Sequence, residues 1–133
     1  MILLVEDEPI VREVTLQVLQ RAGYHVLQSS GPEEALRVAA EHQGQIGLLL
    51  TDVIMPGMNG ADLANRLQNM QPGLITVFMS GYAEHDVVRN MRRQSVMHIE
   101  KPFTVDILLS RIAEALGTEV RSLPTARLPS LSV

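Results

Sequence analysis

The segment LLLTDVIMPG, residues 48–57, places an aspartate directly behind a run of large and β-branched side chains and follows it with a Pro-Gly pair. A short run that is apolar at every position is typical of a strand buried on both faces, as in the centre of a parallel sheet. A strand is therefore predicted at residues 46–51. It would hold the carboxylate of Asp52 rigidly at the edge of the sheet.

Short apolar runs alternate with segments of helical periodicity from residue 2 to residue 116. Strands are predicted at residues 2–5, 24–27, 46–51, 74–79 and 96–99, and helices at residues 9–22, 30–40, 62–70, 84–93 and 105–116. The inward helix faces are predicted to contain Ile10, Val14 and Val18 in the first helix, Leu63, Leu67 and Met70 in the third, and Leu108, Ile112 and Leu116 in the last. This alternation predicts an α/β fold built from five parallel strands.

Bulk properties exclude several classes of protein. A chain of 133 residues has the usual size of one domain, and the absence of cysteine excludes a disulfide framework and a thiolate metal site. The formal net charge of −4 argues against binding of nucleic acid by this segment, because such binding needs a basic face. No apolar run approaches the ~20 residues that span a bilayer, and the N-terminus lacks the features of a signal peptide. A cytoplasmic location is expected.

The last part of the chain differs in composition from the rest. Residues 118–133 contain two prolines, several small polar side chains and no clear periodicity. A C-terminal tail or linker is therefore predicted there, with a single domain at residues 1–117. The first strand starts without a lead-in, which is compatible with a segment of a longer chain.

Polar side chains stand directly behind four of the predicted strands. They are Glu6 and Asp7, Asp52, Ser80, and Lys101. Each has an ordinary explanation by itself: a helix cap for the acidic pair, turn formers for the aspartate and serine, a solvated charge for the lysine. The carboxyl ends of parallel strands share one edge, however, where open α/β sheets bind ligands. We therefore expect these side chains to meet in one cleft.

The combined chemistry of these groups suggests a phosphoryl site. Three neighbouring carboxylates repel one another unless a cation joins them, and oxygen ligands without sulfur or histidine suit Mg²⁺ or Mn²⁺. A divalent ion, the ammonium of Lys101 and the hydroxyl of Ser80 could together neutralise a phosphoryl group. Asp52 is then the candidate nucleophile, forming an aspartyl phosphate.

Taken together, these motifs resemble those of a known family. Glu6-Asp7, Asp52 followed by VIMPGMNG, Ser80-Gly81 and Lys101-Pro102-Phe103 are similar in order and spacing to the receiver domain of two-component signalling proteins. The resemblance covers residues 2 to about 117. It implies a doubly wound, flavodoxin-like sheet in the order 2-1-3-4-5 with helices on both faces. It also implies a signalling module that catalyses only its own phosphorylation and dephosphorylation.

The resemblance also implies roles for individual residues. Asp52 would accept the phosphoryl group from a phosphohistidine on a histidine kinase or a histidine phosphotransfer protein. Asp7 and Asp52 would bind Mg²⁺ directly, together with the backbone carbonyl of Ile54, while Glu6 would act mostly through water. Lys101 would contact the phosphoryl oxygens and precede a cis peptide bond. The domain is expected to be a monomer or a weak dimer.

Three further positions concern switching and lifetime. By the same resemblance, Ser80 would bind the phosphoryl group and move with it, coupled to an aromatic residue three positions before Lys101. His98 occupies that position, so output is hypothesised to be weakened or sensitive to pH; the alternative is an exposed histidine without a role. Ile54 and Tyr82 would border the path of the hydrolytic water, and their apolar or bulky side chains predict slow dephosphorylation.

Other functions are less compatible with the residues. A phosphatase or phosphotransferase of the haloacid-dehalogenase type would need a second aspartate two residues after the nucleophile, where this chain has Ile54. A pseudo-receiver that binds partners without phosphorylation would be favoured by loss of an acid, the acceptor or the lysine, and none is lost. A nucleotide site lacks the Gly-rich loop after the first strand. Two parents remain open, a hybrid sensor histidine kinase with a C-terminal receiver and a fragment of a response regulator.

Overall fold

The computed structural model describes residues 1–81 and 97–117. The helices and strands in chain order are β1 (Ile2–Val5), α1 (Pro9–Arg21), β2 (Val26–Ser29), α2 (Pro32–Glu41), β3 (Leu48–Asp52), α3 (Gly60–Met70), β4 (Ile75–Ser80), β5 (Met97–Glu100) and α4 (Val105–Leu116). The strands form one parallel sheet in the order β2-β1-β3-β4-β5, which confirms the predicted fold class. The predicted helix at residues 84–93, Tyr82 and the predicted tail lie outside the described residues.

The central strand β3 is buried along its whole length, as its apolar sequence predicts. Successive side chains of a strand point to opposite faces of the sheet. Leu48 and Leu50 therefore pack with α1 and α4 on one face, and Leu49 packs with α2 and α3 on the other. Apolar burial on both faces fixes the register of β3, because a slip of one residue would exchange the two sets of side chains.

Local sequence signals set the helix ends. The side chain of Asn59 accepts a hydrogen bond from the backbone N–H of Asp62, and Thr104 caps α4 through the N–H of Ile107 in the same way. Gly117 ends α4 with a positive φ of 68°, which glycine adopts without steric cost. Within the described ranges, no helix is both long and apolar enough to cross a membrane.

The strand boundaries differ from the predicted ones by one or two residues. β2 is Val26–Ser29 rather than residues 24–27, and β3, β4 and β5 each continue one residue beyond the predicted end. The polar residues Asp52, Ser80 and Glu100 are therefore the last residues of their strands. Backbone pairing continues through them because a ladder needs only N–H and C=O groups, and a polar side chain does not interrupt it.

Two predicted core residues are exposed. Ile10 is 80% exposed and Met70 is 36% exposed, whereas α1 buries Thr15, Leu16 and other residues on a neighbouring face. The prediction was wrong for Ile10 because residues at a constant spacing of four drift by about 40° per step around a helix with 3.6 residues per turn. Met70 is the last residue of α3, at the edge of its buried face.

Candidate functional site

Side chains from four strand ends meet at the carboxyl edge of the sheet. Asp52 ends β3 and Ser80 ends β4, while Glu6 and Lys101 directly follow β1 and β5. Glu6, Asp52 and Ser80 are buried, with relative exposures of 0%, 4% and 2%, and Asp7 is exposed. The structure therefore places the acids and the lysine together at one edge of the sheet, as predicted. Several of these charged groups are buried next to one another.

Lys101 is the centre of the charge network. Its Nζ lies 2.6 Å from Oδ1 of Asp52 and 2.9 Å from each carboxylate oxygen of Glu6. The side chain of Lys101 is only 20% exposed, and its partners are nearly fully buried. One ammonium thus compensates two carboxylates in a poorly solvated place, where electrostatic interactions are stronger than in water.

The environment shifts the proton affinities of this network. Burial, together with the neighbouring Asp52, raises the pKa of Glu6 above its ordinary value, although Lys101 acts in the opposite direction. Burial and Asp52 also raise the pKa of Asp7. Burial alone would lower the pKa of Lys101, but the carboxylates of Asp52 and Glu6 raise it above its usual range. The acids therefore favour additional positive charge.

The three acids could hold a cation. One carboxylate oxygen from each of Glu6, Asp7 and Asp52 lies within 4.8 Å of the others. Hard oxygen donors without nitrogen or sulfur ligands match Mg²⁺ or Mn²⁺, and the exposed position of Asp7 leaves one side open to water. The donor set therefore fits a hydrated divalent ion.

The segment after β5 is anchored so that Lys101 points into the site. The backbone N–H of Lys101 donates to the carbonyl of Ser80 over 2.7 Å, and the bond between Lys101 and Pro102 is cis, as the resemblance implies. Phe103 is 1% exposed and packs in the core with α4. The lysine therefore follows directly on a buried strand and precedes a buried aromatic anchor.

Ser80 and His98 interact directly. Oγ of Ser80 and Nε2 of His98 form a hydrogen bond across β4 and β5. His98 is half-buried, whereas the predicted alternative placed it in an exposed position. Ile54, the other described residue predicted to tune lifetime, has 49% of its surface exposed.

The fold and this arrangement match a known family. The chain matches the description "Response regulator receiver domain" over residues 2–113. The chain belongs to this family. It is a receiver domain of two-component signalling, and its role as a phosphoacceptor follows from the family.

The similar proteins include a sensor kinase and a response regulator receiver protein. The receiver domain is 35% identical over 116 residues to sensor kinase CckA of Brucella abortus, covering 86% of this chain and 12% of CckA. It is 33% identical to the response regulator receiver protein CpdR of the same organism, covering 86% of this chain and 95% of CpdR. A crystal structure of the receiver domain from hybrid histidine kinase CckA superposes with a TM-score of 0.74 at 35% identity, covering 86% and 97% of the two chains.

The chain spans only part of several of these relatives. It covers between 12% and 32% of the length of the first four curated ones. The receiver domain therefore corresponds to one module of those larger proteins, while it corresponds to nearly all of CpdR.

Two residues that support the site of the receiver domain were not predicted. The guanidinium of Arg12 in α1 donates to the backbone carbonyl of Glu6 over 2.8 Å and so fixes the loop that carries the acidic pair. The N–H of Gly60 donates to the carbonyl of Val53 over 2.6 Å, so α3 begins against the backbone that follows Asp52. Gly60 follows VIMPGMN in the sequence, and a glycine at that position is the signal from which the second contact could have been predicted.

Proposed function

We propose that Asp52 is the phosphoacceptor of this receiver domain. The observation that carries the proposal is the 2.6 Å contact between its buried carboxylate and Nζ of Lys101, next to two further acids. A reactive oxygen needs a fixed position and compensation of the charge that gathers around it. Asp52 has both, since it ends a fully buried strand and lies against an ammonium.

The proposed chemistry is transfer of a phosphoryl group from phosphohistidine. An oxygen of Asp52 attacks phosphorus, the bond between phosphorus and the imidazole nitrogen breaks, and that nitrogen keeps the electron pair. Lys101 then turns from the carboxylates to the transferred phosphoryl oxygens, and Ser80 donates a hydrogen bond to one of them. The partner is a histidine kinase or a histidine phosphotransfer protein, because these carry the phosphohistidine.

The proposed cofactor is Mg²⁺, with Mn²⁺ as a substitute. Asp7, Asp52 and the backbone carbonyl of Ile54 would hold it, with Glu6 acting mostly through water. When bound, the cation neutralises charge on the phosphoryl oxygens. The support for it is the donor set of three neighbouring carboxylates and the raised pKa of Glu6 and Asp7, which both indicate a need for positive charge.

We also propose that the domain comprises residues 1–117 and that residues 118–133 form a tail or linker. The last described helix ends at Leu116, and Gly117 caps it in the left-handed conformation. A monomer or weak dimer that does not bind nucleic acid itself is consistent with the net charge of −4.

Intact mass spectrometry with acetyl phosphate tests this function. We expect the wild-type protein to gain one phosphoryl group in the presence of Mg²⁺ and almost none in excess EDTA. The variant Asp52→Asn should gain none, because an amide is not a nucleophile of this kind. Labelling of Asp52→Asn to the wild-type level would contradict Asp52 as the acceptor. Failure of the wild-type protein to label with Mg²⁺ would favour a pseudo-receiver instead.

The lifetime of the aspartyl phosphate should depend on Ile54 and Tyr82. In a variant with Ile54→Asn and Tyr82→Glu, polar side chains can orient a water molecule, so we expect dephosphorylation about tenfold faster. Ile54→Leu is the matched control and should leave the rate unchanged. The measurement is loss of the phosphoryl mass over time after removal of the donor. An unchanged rate in the double variant would contradict the assignment of these two positions.

A further inference from the structure

The loop between β1 and α1, residues 6–8, carries two of the acidic side chains of the site. It contains Glu6 and Asp7 and ends at Glu8, the N-cap residue of α1. Among the described residues, the side chain of Glu8 makes no hydrogen bond that caps the helix. The position of Asp7 therefore depends on how the backbone before it is held.

Two hydrogen bonds hold the backbone of Glu6. Its N–H donates to the carbonyl of Ser29 over 3.1 Å, which continues the pairing of β1 with β2. Its carbonyl accepts a hydrogen bond from the guanidinium of Arg12, at the end of the first turn of α1, over 2.8 Å. The second bond attaches the peptide group between Glu6 and Asp7 to the helix.

We propose that Arg12 is a positioning residue for the metal site. A peptide group is planar, so a fixed carbonyl at Glu6 also fixes the N–H and Cα of Asp7. Asp7 is exposed, and packing therefore contributes little to its position. Arg12 keeps the carboxylate of Asp7 close to those of Glu6 and Asp52. This inference rests on the proposed function, because it concerns the site proposed for Mg²⁺.

The guanidinium of Arg12 suits this role. An ionised donor makes a stronger hydrogen bond than a neutral one, and the half-buried position of Arg12 reduces competition from water. Ligands that are already in place bind a cation more tightly, because less conformational freedom is lost on binding. Groups that orient the ligands of a metal typically raise its affinity by about 10- to 100-fold.

The charge and the hydrogen bond of Arg12 predict effects of opposite sign on cation binding. By its charge alone, a guanidinium repels a divalent cation at the acidic cluster. Removal of that charge would therefore strengthen cation binding. Loss of the hydrogen bond to Glu6 would instead loosen Asp7 and weaken cation binding. A loss of affinity in a variant without the guanidinium thus identifies positioning as the larger effect.

Titration with Mn²⁺ alone, followed by the EPR signal of the free ion, measures the affinity, and competition with Mg²⁺ gives the affinity for that ion. We expect Arg12→Met to weaken the binding of both ions about tenfold. Arg21→Met is the matched control, because it removes the same charge from an exposed position in the last turn of the same helix. It should bind both ions as the wild-type protein does. Binding by Arg12→Met as tight as that of the wild-type protein, or tighter, would overturn the proposal.

Urea unfolding in EDTA separates this role from a general effect on the fold. A purely structural role for Arg12 would lower the free energy of unfolding in Arg12→Met but leave the cation affinity of the folded protein unchanged. That combination would also overturn the proposal.

A measurement on the wild-type protein applies even if Arg12→Met does not fold. A guanidinium held by a hydrogen bond rotates slowly about its Cζ–Nε bond, so its two Nη nitrogens give separate ¹⁵N NMR signals. We expect separate signals for Arg12 and an averaged signal for Arg21. By linkage, a bond that favours cation binding is itself favoured by the cation, so saturating Mg²⁺ should slow the rotation of Arg12 further. Unchanged or faster rotation in Mg²⁺ would overturn the proposal.

The outcomes separate this inference from the proposed function. If the wild-type protein binds neither Mn²⁺ nor Mg²⁺, the proposed cofactor fails, and the role of Arg12 fails with it. If the wild-type protein binds both ions and Arg12→Met binds them equally well, only the role of Arg12 fails. Neither measurement depends on whether Asp52 accepts a phosphoryl group.

Discussion

Replacing Gly60 with alanine is expected to lower the free energy of unfolding by about 3 kcal/mol. A Cβ atom at this position would overlap the carbonyl oxygen of Asp52 and lie 3.1 Å from its carbonyl carbon and 3.2 Å from Cα of Val53. All three are backbone atoms, so no side chain can rotate away. The start of α3 would have to move off the backbone that carries the acceptor.

Gly31 provides the matched control. It also stands at the start of a helix, as the N-cap of α2, but its φ of −173° suits any residue and nothing lies within 4 Å of an added Cβ. Gly31→Ala should therefore cost less than about 1 kcal/mol. Urea unfolding of both variants measures the difference, and labelling by acetyl phosphate should slow only for Gly60→Ala. Equal stability of the two variants would contradict the close approach of α3 to Asp52.

Replacing Lys101 with methionine is expected to destabilise the metal-free protein by about 3–5 kcal/mol. Methionine keeps much of the apolar stem but removes the charge that lies 2.6 Å from Asp52 and 2.9 Å from both oxygens of Glu6. The buried carboxylate of Asp52 would then lie beside Glu6 without the ammonium, and Glu6, whose pKa is already raised by burial and by Asp52, would take up a proton. Saturating Mg²⁺ should reduce the loss, because a cation among these acids supplies positive charge.

Arg111→Met is the control for the general loss of an ion pair. Arg111 pairs with Glu114 at 3.4 Å, but both side chains are about half exposed, so removal should cost less than about 1 kcal/mol. The comparison uses urea unfolding in EDTA and again in Mg²⁺. A loss for Lys101→Met as small as that for Arg111→Met would show that Glu6 and Asp52 do not depend on the lysine for charge compensation.

The sheet could be predicted because its signals are local and repeated. The segment at residues 48–52 begins with three leucines in its five positions, and each strand is followed by a helical stripe or a turn residue. The exact strand ends were less predictable. Ser80 and Glu100 extend their strands through backbone pairing, and the side-chain pattern gives no signal for that pairing. The inward face of α1 was predicted with Ile10 included because a constant spacing of four only approximates the helical period.

The site was predictable where topology alone brings residues together. Asp52 and Lys101 could be placed at one edge because parallel strands end on the same side. The hydrogen bond between Ser80 and His98 depends on rotamers, which the sequence does not specify. The contacts of Arg12 and Gly60 are with backbone atoms, and such contacts constrain neither the polarity nor the spacing of the sequence.

Chemical trapping of the phosphorylated residue tests the central claim most directly. Borohydride reduces an acyl phosphate to an alcohol and so converts a phosphorylated aspartate to homoserine, which peptide mass spectrometry can locate. After treatment with acetyl phosphate and Mg²⁺, we predict homoserine at position 52 and at no other acidic residue. Homoserine at position 7, or at any acid other than Asp52, would contradict the assignment of the nucleophile to the end of the central strand.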